Sequence, residues 1–378
     1  MSLLLNEEQR MLRDSAAEFL GARSPIAALR KLRDTRDARG WDEALWREIT
    51  ELGWPAAVLP EEHGGLGIGW AGLGAVFEQI GRTLAATPLL STVVLGAGLI
   101  ERLGSEAQRS HWLPRIAAGE TVLALALDET PRHDPARIAT RARRDGAGWV
   151  LDGEKWFVLD GHVAERLLVV ARIDDAATAR AVFLVDPAAP GVQLERTIMV
   201  DSRNAARLRL AGVALGADAL LGTPEATATA LDAVLDRARA CLAAEALGVI
   251  REAFDRSVAY LKERVQFGVA IGSFQALQHR AARLFVDIEL LHSAVAAALE
   301  AFDTDAPDAG ELASLAKARA GDLSERALNE AAQLHGGIGV TDELDIGLMM
   351  KRGRALQQTF GDGAFHRRRY AALLGFAA

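Results

Sequence analysis

This sequence of 378 residues has a single cysteine and fewer basic than acidic residues. The single cysteine, Cys241, excludes an internal disulfide and fits a reducing, cytoplasmic setting. With 43 basic residues against 51 acidic ones, the net charge of −8 argues against nucleic acid as the main partner. No apolar run is long enough to span a bilayer, and the first residues lack a basic start followed by an apolar run. We therefore expect no membrane partner and no secretory signal.

Motifs of several enzyme classes are missing as well. The eight histidines are scattered without metal-ligand spacing, so we expect no metal site. No G-x-S-x-G elbow supports hydrolase chemistry. The run from Gly67 to Gly72 fits G-x-G-x-x-G, but alternating strands and helices do not follow it. We interpret it as a loop before a helix rather than as a phosphate loop.

Hydrophobic patterning divides the chain into three parts. Residues 1–120 have helical periodicity and predict an N-terminal helical domain. Residues 121–222 hold short apolar or alternating runs separated by turns, such as Asp152-Gly153, and predict a small antiparallel β-barrel or sandwich. Residues 223–378 return to sustained helical periodicity and predict a four-helix-type bundle. The predicted fold class is mainly α with a central β domain.

Two C-terminal segments carry residues that suit an anionic ligand. In the first, from Arg264 to Gln278, a helix is expected to end at a glycine beside a cation, amides and aromatic rings. The second, from Gln333 to Val340, contains paired glycines, which let a backbone approach a ligand closely. Arginine and backbone N–H groups suit a pyrophosphate. Either segment alone is equally well explained by helix caps and a tight turn, but both together favour a binding site.

On these residues the chain resembles the acyl-CoA dehydrogenase family over nearly its whole length. The run GWPAAVLPEEHGGLG, from Gly53 to Gly67, is similar to the first-domain signature of that family. The run DGEKWFVLDG, from Asp152 to Gly161, is similar to its central strand motif. The segments that begin at Arg264 and Gln333 match its two flavin-binding stretches.

The resemblance implies FAD as the cofactor, held between the central strand domain and the C-terminal helices. One side of the cofactor is expected to contact Arg264, Gln266, Phe267 and Phe274. The contacts across a dimer interface are expected from Gln333, Gly336 and Gly337. Phe157 is expected to lie against the flavin ring.

The reaction that the resemblance implies is α,β-desaturation of an acyl-CoA substrate. A carboxylate removes the α proton, a hydride passes from the β carbon to the flavin, and two hydrogen bonds hold the thioester oxygen. One of these bonds comes from the backbone N–H of the base residue itself. Electrons then pass to an electron-transfer flavoprotein, and the expected assembly is a homotetramer or a tetramer with a related chain.

The sequence departs from the family at the catalytic base. The usual glutamate position falls on Gly361, and Asp362 follows it as a candidate base. Asp362 is explained equally well as a turn or cap aspartate. Some family members carry the base on a C-terminal helix instead, and that position falls on Ala238. Nearby Asp236 and Glu245 are not clearly placed to replace it, and Glu245 is either a buried polar contact or a solvated side chain.

Two further departures concern the flavin environment. Where the family has small residues near the pyrophosphate, residues 128–134 carry bulky or charged side chains. Leu159 occupies a position where a hydroxyl residue often bonds the flavin, and leucine cannot do so. These differences predict an altered flavin environment.

Three functions are therefore considered. The first is an FAD-dependent acyl-CoA dehydrogenase, either with Asp362 as a displaced base or with a related subunit that completes the site; the departures favour the second version. The alternative is a non-catalytic or partner-dependent subunit of a heteromeric acyl-CoA dehydrogenase. A different flavin reaction that uses oxygen is the third, and nothing in the sequence favours it.

Overall fold

The computed structural model describes residues 5–174 and 179–376, which are mainly helical and contain one eight-stranded sheet. The helices are α1 (Glu7–Arg23), α2 (Ile26–Thr35), α3 (Glu43–Glu51), α4 (Trp70–Thr83), α5 (Gly98–Leu103), α6 (Glu106–Ala117), α7 (Pro224–Glu263), α8 (Gln275–Asp303), α9 (Ala309–His335), α10 (Ile346–Gln358) and α11 (Gly363–Leu373). The strands are β1 (Leu123–Ala126), β2 (Arg141–Asp145), β3 (Gly148–Leu159), β4 (Arg166–Ile173), β5 (Arg180–Val185), β6 (Val192–Ile198), β7 (Asn204–Leu215), β8 (Leu220–Leu221), β9 (Val265–Gln266) and β10 (Val269–Ala270). The predicted fold class is confirmed. Within the described residues, no helix is both long and apolar enough to cross a membrane.

Contacts between residues divide the chain into two compact units. The helical unit comprises residues 1–31, 68–85 and 239–378, and the strand unit comprises residues 32–67 and 86–238. The division falls within α7, so neither unit is one continuous piece of chain. The three sequence domains remain a prediction.

The helical unit is built on close helix packing. Helices α8, α10 and α11 pack on α9, and α4 packs on both α1 and α8. At two glycines the backbones of α4 and α7 touch directly. A Cβ added at Gly81 would lie 2.0 Å from the carbonyl oxygen of Glu245, and one added at Gly248 would lie 1.9 Å from that of Glu78. Any side chain at these glycines would therefore separate the two helices.

The strand unit contains a mixed sheet. Its strands pair in the order β6-β7-β3-β2-β4-β5-β8, and β1 pairs with β4. Most of these pairs are antiparallel, as predicted, but β1 and β2 each pair with β4 in parallel. Among the described residues the pairing forms an open path from β6 to β8 rather than a closed barrel. The buried strand β4, from Arg166 to Ile173, is almost continuously apolar, as expected for a strand covered on both faces.

The prediction of a turn at Asp152-Gly153 is wrong. β3 runs straight through these residues and pairs with β7, with a shift in register between Leu151 and Gly153. Gly153 has a φ of 153°, and an added Cβ would lie 2.5 Å from the hydroxyl oxygen of Thr140. The Asp-Gly pair therefore forms a β-bulge that bends the strand without ending it.

The glycine-rich run at Gly67 lies before a helix, as predicted. Helix α4 begins at Trp70, and the carboxylate of Asp303 accepts the N–H groups of Trp70 and Ala71 at 2.5 and 3.0 Å. The anion that faces this helix N-terminus is thus a side chain of the chain itself. This contact supports the prediction that the run is not a phosphate loop.

Candidate functional site

The expected base position lies in the short connection between α10 and α11. Phe360 and Gly361 both have positive φ angles, 54° and 113°. The N–H of Gly361 donates to the carbonyl of Gln358 at 3.2 Å. The chain therefore makes a tight, buried turn at this position.

Gly361 leaves no room for a side chain. A Cβ added there would lie 2.4 Å from a ring carbon of Phe365 and 2.8 Å from Nε2 of His366. Real Cβ contacts are not this short, so a larger residue would have to displace the two rings. This position therefore carries no carboxylate, and the packing around it leaves no room for one.

Three buried basic side chains hold the carbonyl groups of this turn. Lys317 donates from Nζ to the carbonyls of Gly361 at 2.9 Å and Gln357 at 3.2 Å. The Phe360 carbonyl accepts from Arg239 Nε at 3.2 Å and pairs with His366 Nε2 at 3.1 Å. The backbone around Gly361 is therefore anchored by side chains of α7, α9 and α11.

Burial changes the ionisation of two of these groups. Loss of solvent, reinforced by the charge of Arg239, lowers the pKa of Lys317 to about 7, although the Asp362 carboxylate opposes this shift. Burial, followed by the charges of Lys317 and Arg239, lowers the pKa of His366 to about 2. His366 is therefore a neutral ring that donates to the Phe360 carbonyl, and it is no proton acceptor at neutral pH.

Asp362 is the N-cap of α11. Its Oδ1 accepts the N–H of Phe365 at 2.7 Å, and the side chain is partly exposed. A carboxylate at a helix N-terminus satisfies an otherwise free N–H group and faces the positive end of the helix dipole. The role of Asp362 as a base remains a prediction.

The second base position of the family is also without a carboxylate. Ala238 is buried in α7, and so is Asp236, two residues earlier. Glu245 is 1% exposed, and its two oxygens accept from Nε and Nη2 of Arg352, each at 2.8 Å. Of the two alternatives for Glu245, the structure has the buried polar contact.

The first predicted flavin segment forms an exposed hairpin in the helical unit. Helix α7 ends at Glu263 rather than at a glycine, and β9 and β10 follow it. Phe267, at the hairpin turn, has a φ of 55° and is 91% exposed. Its ring lies 6.1 Å from that of Phe274. Arg264 and Gln266 are exposed on the same hairpin, so the structure brings all four predicted residues together.

The second predicted segment follows the end of α9. Gln333, Gly336 and Gly337 are all exposed, and Gly336 has a φ of 64°. A Cβ added at either glycine would meet nothing within 4 Å. The glycines therefore leave open space beside an exposed backbone, which is what a closely approaching ligand needs.

In the strand unit, Phe157 and Leu159 lie near the end of β3. Phe157 has a φ of 52° and is 38% exposed, and it marks a second shift in the pairing of β3 with β7. Leu159 is half-buried. A large aromatic ring held out of a sheet by a strained backbone offers a flat contact surface that suits a flavin.

Two acidic residues of the segment 128–134, Asp128 and Glu129, are paired with basic side chains. The Asp128 carboxylate lies 2.8 Å from Nδ1 of His133. The Glu129 carboxylate accepts Nζ of the fully buried Lys155 at 2.8 Å. Burial by itself raises the pKa of Glu129, but the ammonium of Lys155 and the hydrogen bonds from Thr140 and Ala139 together lower that pKa, while burial lowers the pKa of Lys155 to about 8. These two carboxylates therefore do not confront a bound phosphate as free charges.

The residues present fit FAD. In the helical unit, the exposed aromatic rings of the hairpin and the open glycines after α9 suit a flat, anionic cofactor. In the strand unit, the exposed Phe157 ring and the paired charges of Asp128 and Glu129 are compatible with the same cofactor. Leu159 supplies no hydroxyl, as the sequence indicated.

Sequence reasoning missed Lys317 and His366. Lys317 lies on the inward face of α9, where its neighbours at helical spacing are Ala313 and Ala320. One lysine on an otherwise alanine-rich face could have indicated this contact, because a lysine on a buried face needs a partner. His366 has no comparable signal in the sequence.

Comparisons with known proteins agree with these observations. The model of the acyl-CoA dehydrogenase N-terminal domain matches residues 6–120, that of the middle domain matches residues 125–213, and that of the C-terminal domain matches residues 227–374. The chain is similar to acyl-CoA dehydrogenase FadE12 of Mycobacterium tuberculosis, with 33% identity over 366 residues that cover 93% of this chain and 92% of that protein.

Two solved structures come from proteins made of two named chains. One contains a glycine-to-alanine variant of the Tcur3481–Tcur3483 steroid ACAD; the TM-score is 0.88 with 34% identity, covering 98% of this chain and 99% of that chain. The other is the ChsE4–ChsE5 complex from Mycobacterium tuberculosis, with a TM-score of 0.90, 26% identity and complete coverage of both chains.

Proposed function

Since this chain belongs to the acyl-CoA dehydrogenase family, we propose that it is one chain of a two-chain acyl-CoA dehydrogenase in which a related partner completes the catalytic site. The chain is an acyl-CoA dehydrogenase-like flavoprotein, and its cofactor is FAD. The function of the family is dehydrogenation of an acyl-CoA thioester. The proposal concerns which chain supplies the base.

The observation that carries the proposal is the packed turn at Gly361. Removal of the α proton needs a positioned proton acceptor, and carboxylates serve this role. Gly361 has none and has no room for one. The basic groups nearest to it, Lys317 and His366, are buried and hold backbone carbonyls. A carboxylate from a complete site on a related chain would supply what is missing.

The cofactor-holding residues are proposed from the contacts above. In the helical unit they are Arg264, Gln266, Phe267, Phe274, Gln333, Gly336 and Gly337. In the strand unit, Phe157 would face the ring and Leu159 would pack beside it without a hydrogen bond. When bound, FAD would accept a hydride from the β carbon of the thioester. The Gly361 N–H would stabilise charge on the thioester oxygen if it exchanged its contact with Gln358 for that oxygen.

A second candidate assigns the base to Asp362 in a homo-oligomer. It is favoured by the position of Asp362 beside Gly361 and by its second oxygen, for which no hydrogen bond is found among the described residues. The first oxygen is held in the helix cap, which restricts how far the group can turn.

A flavin spectrum distinguishes the two candidates. The chain is purified alone and after co-expression with a related acyl-CoA dehydrogenase chain from the same genome, and both samples are titrated with acyl-CoAs under anaerobic conditions. The panel includes a straight-chain and a steroid thioester, since a steroid ACAD is among the similar structures. The proposal expects a yellow chain that no thioester bleaches alone and that bleaches with its partner. Electrons from the bleached complex are expected to pass to an electron-transfer flavoprotein.

The variant Asp362→Asn makes the test specific. Under the proposal it leaves bleaching of the two-chain complex within about twofold of the unmodified rate, since asparagine is also a good N-cap. Bleaching by the chain alone, abolished by Asp362→Asn, would instead establish the homo-oligomer with a displaced base.

A further inference from the structure

The carbonyl of Phe360 has two hydrogen-bond donors inside the protein. Arg239 Nε donates to it from α7 at 3.2 Å, and His366 Nε2 lies 3.1 Å from it on α11. A carbonyl oxygen only accepts hydrogen bonds, so the proton of the His366 ring is on Nε2. All three residues are buried, and water therefore does not compete for these contacts.

These two donors determine the direction of the next N–H group. The Phe360 carbonyl and the Gly361 N–H belong to one peptide unit, and in a planar trans peptide unit the two groups point in opposite directions. Because the carbonyl is held toward α7 and α11, the N–H is held toward the other side of the turn. Hydrogen bonds to a carbonyl also make the N–H of the same unit a stronger donor.

The acceptor that this N–H now has can be replaced. The Gly361 N–H donates to the carbonyl of Gln358 at 3.2 Å, which is at the long end of the usual range. An incoming acceptor could take the place of Gln358 while the Phe360 carbonyl keeps both of its donors. The direction of the N–H would then be fixed before the acceptor arrives.

The contact of His366 with this turn depends on the glycine. A Cβ added at Gly361 would lie 2.8 Å from His366 Nε2, the nitrogen that bonds the Phe360 carbonyl. Any other residue would therefore displace the ring from that carbonyl. The glycine that stands in place of the usual glutamate thus makes room for the second donor.

The burial of the His366 ring has a cost that its hydrogen bond must offset. The ring is fully buried, and its Nδ1 has no hydrogen-bond partner among the described residues. A buried polar atom without a partner destabilises the folded state, and an apolar side chain of similar size would avoid that cost. The bond to Phe360 is therefore what distinguishes histidine from leucine at this position.

We propose that His366 is a positioning residue, which acts through the Phe360–Gly361 peptide unit to hold the Gly361 N–H toward the oxygen of an acyl-CoA thioester. The inference rests on the proposed function, which gives this N–H a thioester to bind. Negative charge develops on that oxygen as the α proton leaves, so a donor fixed in advance stabilises the transition state more than it stabilises the bound thioester. The chain that lacks a base would thus still supply a reinforced donor.

The carbonyl stretching frequency of a bound thioester tests the proposal. The probe is acetyl-CoA labelled with carbon-13 at its carbonyl, because it has no β carbon and cannot be desaturated. Infrared difference spectra of the flavin-loaded full chain are recorded with the labelled and the unlabelled probe. A hydrogen bond to the thioester oxygen lowers this frequency relative to the free thioester.

Three variants make the measurement specific. His366→Leu removes the donor, and His366→Gln replaces it with a side-chain amide that can also donate. If His366→Leu does not fold, His366→Met takes its place, since methionine adapts to irregular space. Leu299→Ala is the control, because Leu299 is a buried side chain of α8 that packs against Gly74 of α4 and has no part in these hydrogen bonds.

The unmodified chain is expected to lower the carbonyl frequency of the probe. His366→Leu should lose part of this shift and His366→Gln should regain it, whereas Leu299→Ala should keep the whole shift although it destabilises the core. The dissociation constant of the probe should change less than about threefold in every variant, since the rest of the ligand binds as before. The proposal is overturned if the unmodified chain gives no shift, if His366→Leu keeps all of it, or if Leu299→Ala loses as much.

This measurement needs neither turnover nor a partner chain, so it separates the two proposals. A chain that no partner causes to bleach, but whose bound thioester responds to the His366 variants, would contradict the proposed function alone. A complex that bleaches, formed by a chain whose bound thioester has the same frequency with and without His366, would contradict the role of His366 alone.

Discussion

At Gly361 the backbone conformation and the packing each exclude a larger residue. Its φ of 113° lies where side chains are strained, and its missing Cβ is replaced by the rings of Phe365 and His366. The carbonyls on either side are anchored by Arg239 and Lys317. Since the turn is held from several directions, it cannot easily relax around a new side chain.

Gly361→Ala is therefore expected to lower the free energy of unfolding by about 1–3 kcal/mol, the cost of strained backbone, with any unrelieved clash adding to it. Urea unfolding of the purified chain measures the change. Gly21→Ala is the control, because Gly21 is exposed in α1 and an added Cβ there meets nothing within 4 Å. That variant should be equally or slightly more stable, by up to about 1 kcal/mol. Equal effects at both glycines would contradict the packing argument.

Lys317 predicts a pH dependence of stability. Burial lowers its pKa from the ordinary 10.5 to about 7. Between these values the unfolded chain keeps a proton that the folded protein has released, so the contribution of Lys317 to the free energy of unfolding rises with pH from about 7 to about 10. Urea unfolding at intervals across this range should show a less positive slope for Lys317→Met than for the unmodified chain. The exposed lysine variant Lys351→Met should keep the original slope; an unchanged slope in Lys317→Met would refute the assignment.

At the same scale, sequence reasoning located the turn but not its surroundings. The absence of a glutamate at Gly361 is visible from the sequence alone, and a cap aspartate is one of the two roles that the sequence predicts for Asp362. The contacts of Lys317 and His366 with this turn join residues 44 and 6 positions apart through the fold. A single sequence does not reveal which distant residues a fold brings together.

At the scale of elements, periodicity predicted helices and strands well, but the predicted turn at Asp152-Gly153 and the predicted end of α7 were wrong. Asp152-Gly153 has the composition of a turn, yet pairing with β7 on both sides keeps β3 intact. The end of α7 at Glu263 is set by the hairpin that follows it. At Asp152-Gly153 tertiary hydrogen bonding overrides a local preference, and at the end of α7 the pairing of β9 with β10 does so, which is why composition alone did not predict either feature.

The ion pair between Glu245 and Arg352 joins α7 to α10. Both side chains are buried, and removal of one leaves the other charge buried without its ion-pair partner. Glu245→Ala is expected to lower the free energy of unfolding by about 3–5 kcal/mol, whereas Glu245→Leu/Arg352→Met should recover much of that loss. Urea unfolding of the set provides a double-mutant comparison.

A surface pair serves as the control for this prediction. Arg354 of α10 pairs with Glu325 of α9 at 3.1 Å, and both side chains are about half exposed. Arg354→Ala should cost less than about 1 kcal/mol, because water screens exposed pairs. If Glu245→Ala costs no more than this, the buried pair does not hold the two helices together.

At the scale of the whole molecule, the motifs that resemble a known family say more about function than the bulk composition does. Length, charge and cysteine content limited the classes of function, but the quoted motifs alone led to the family that the comparisons confirm. The motifs predict which surfaces would hold the cofactor, because a close-approaching ligand selects for glycines and aromatics that stand out in a sequence. The sequence carries no comparable motif for a partner chain, because a typical interface is only about as apolar as the rest of the protein surface.

The expected assembly with other chains gives the last prediction. In the helical unit, Phe267 is 91% and Val340 79% exposed, and large apolar side chains this exposed indicate an interaction surface. Phe267→Ser/Val340→Ser is expected to shift the mass in solution, measured by light scattering, toward that of a single 40.4 kDa chain. Met11→Ser, at a 66% exposed methionine on α1, should leave the mass unchanged. If the double variant keeps the mass of the unmodified protein, these residues are not where chains associate, and their exposure would then be explained by the cofactor alone.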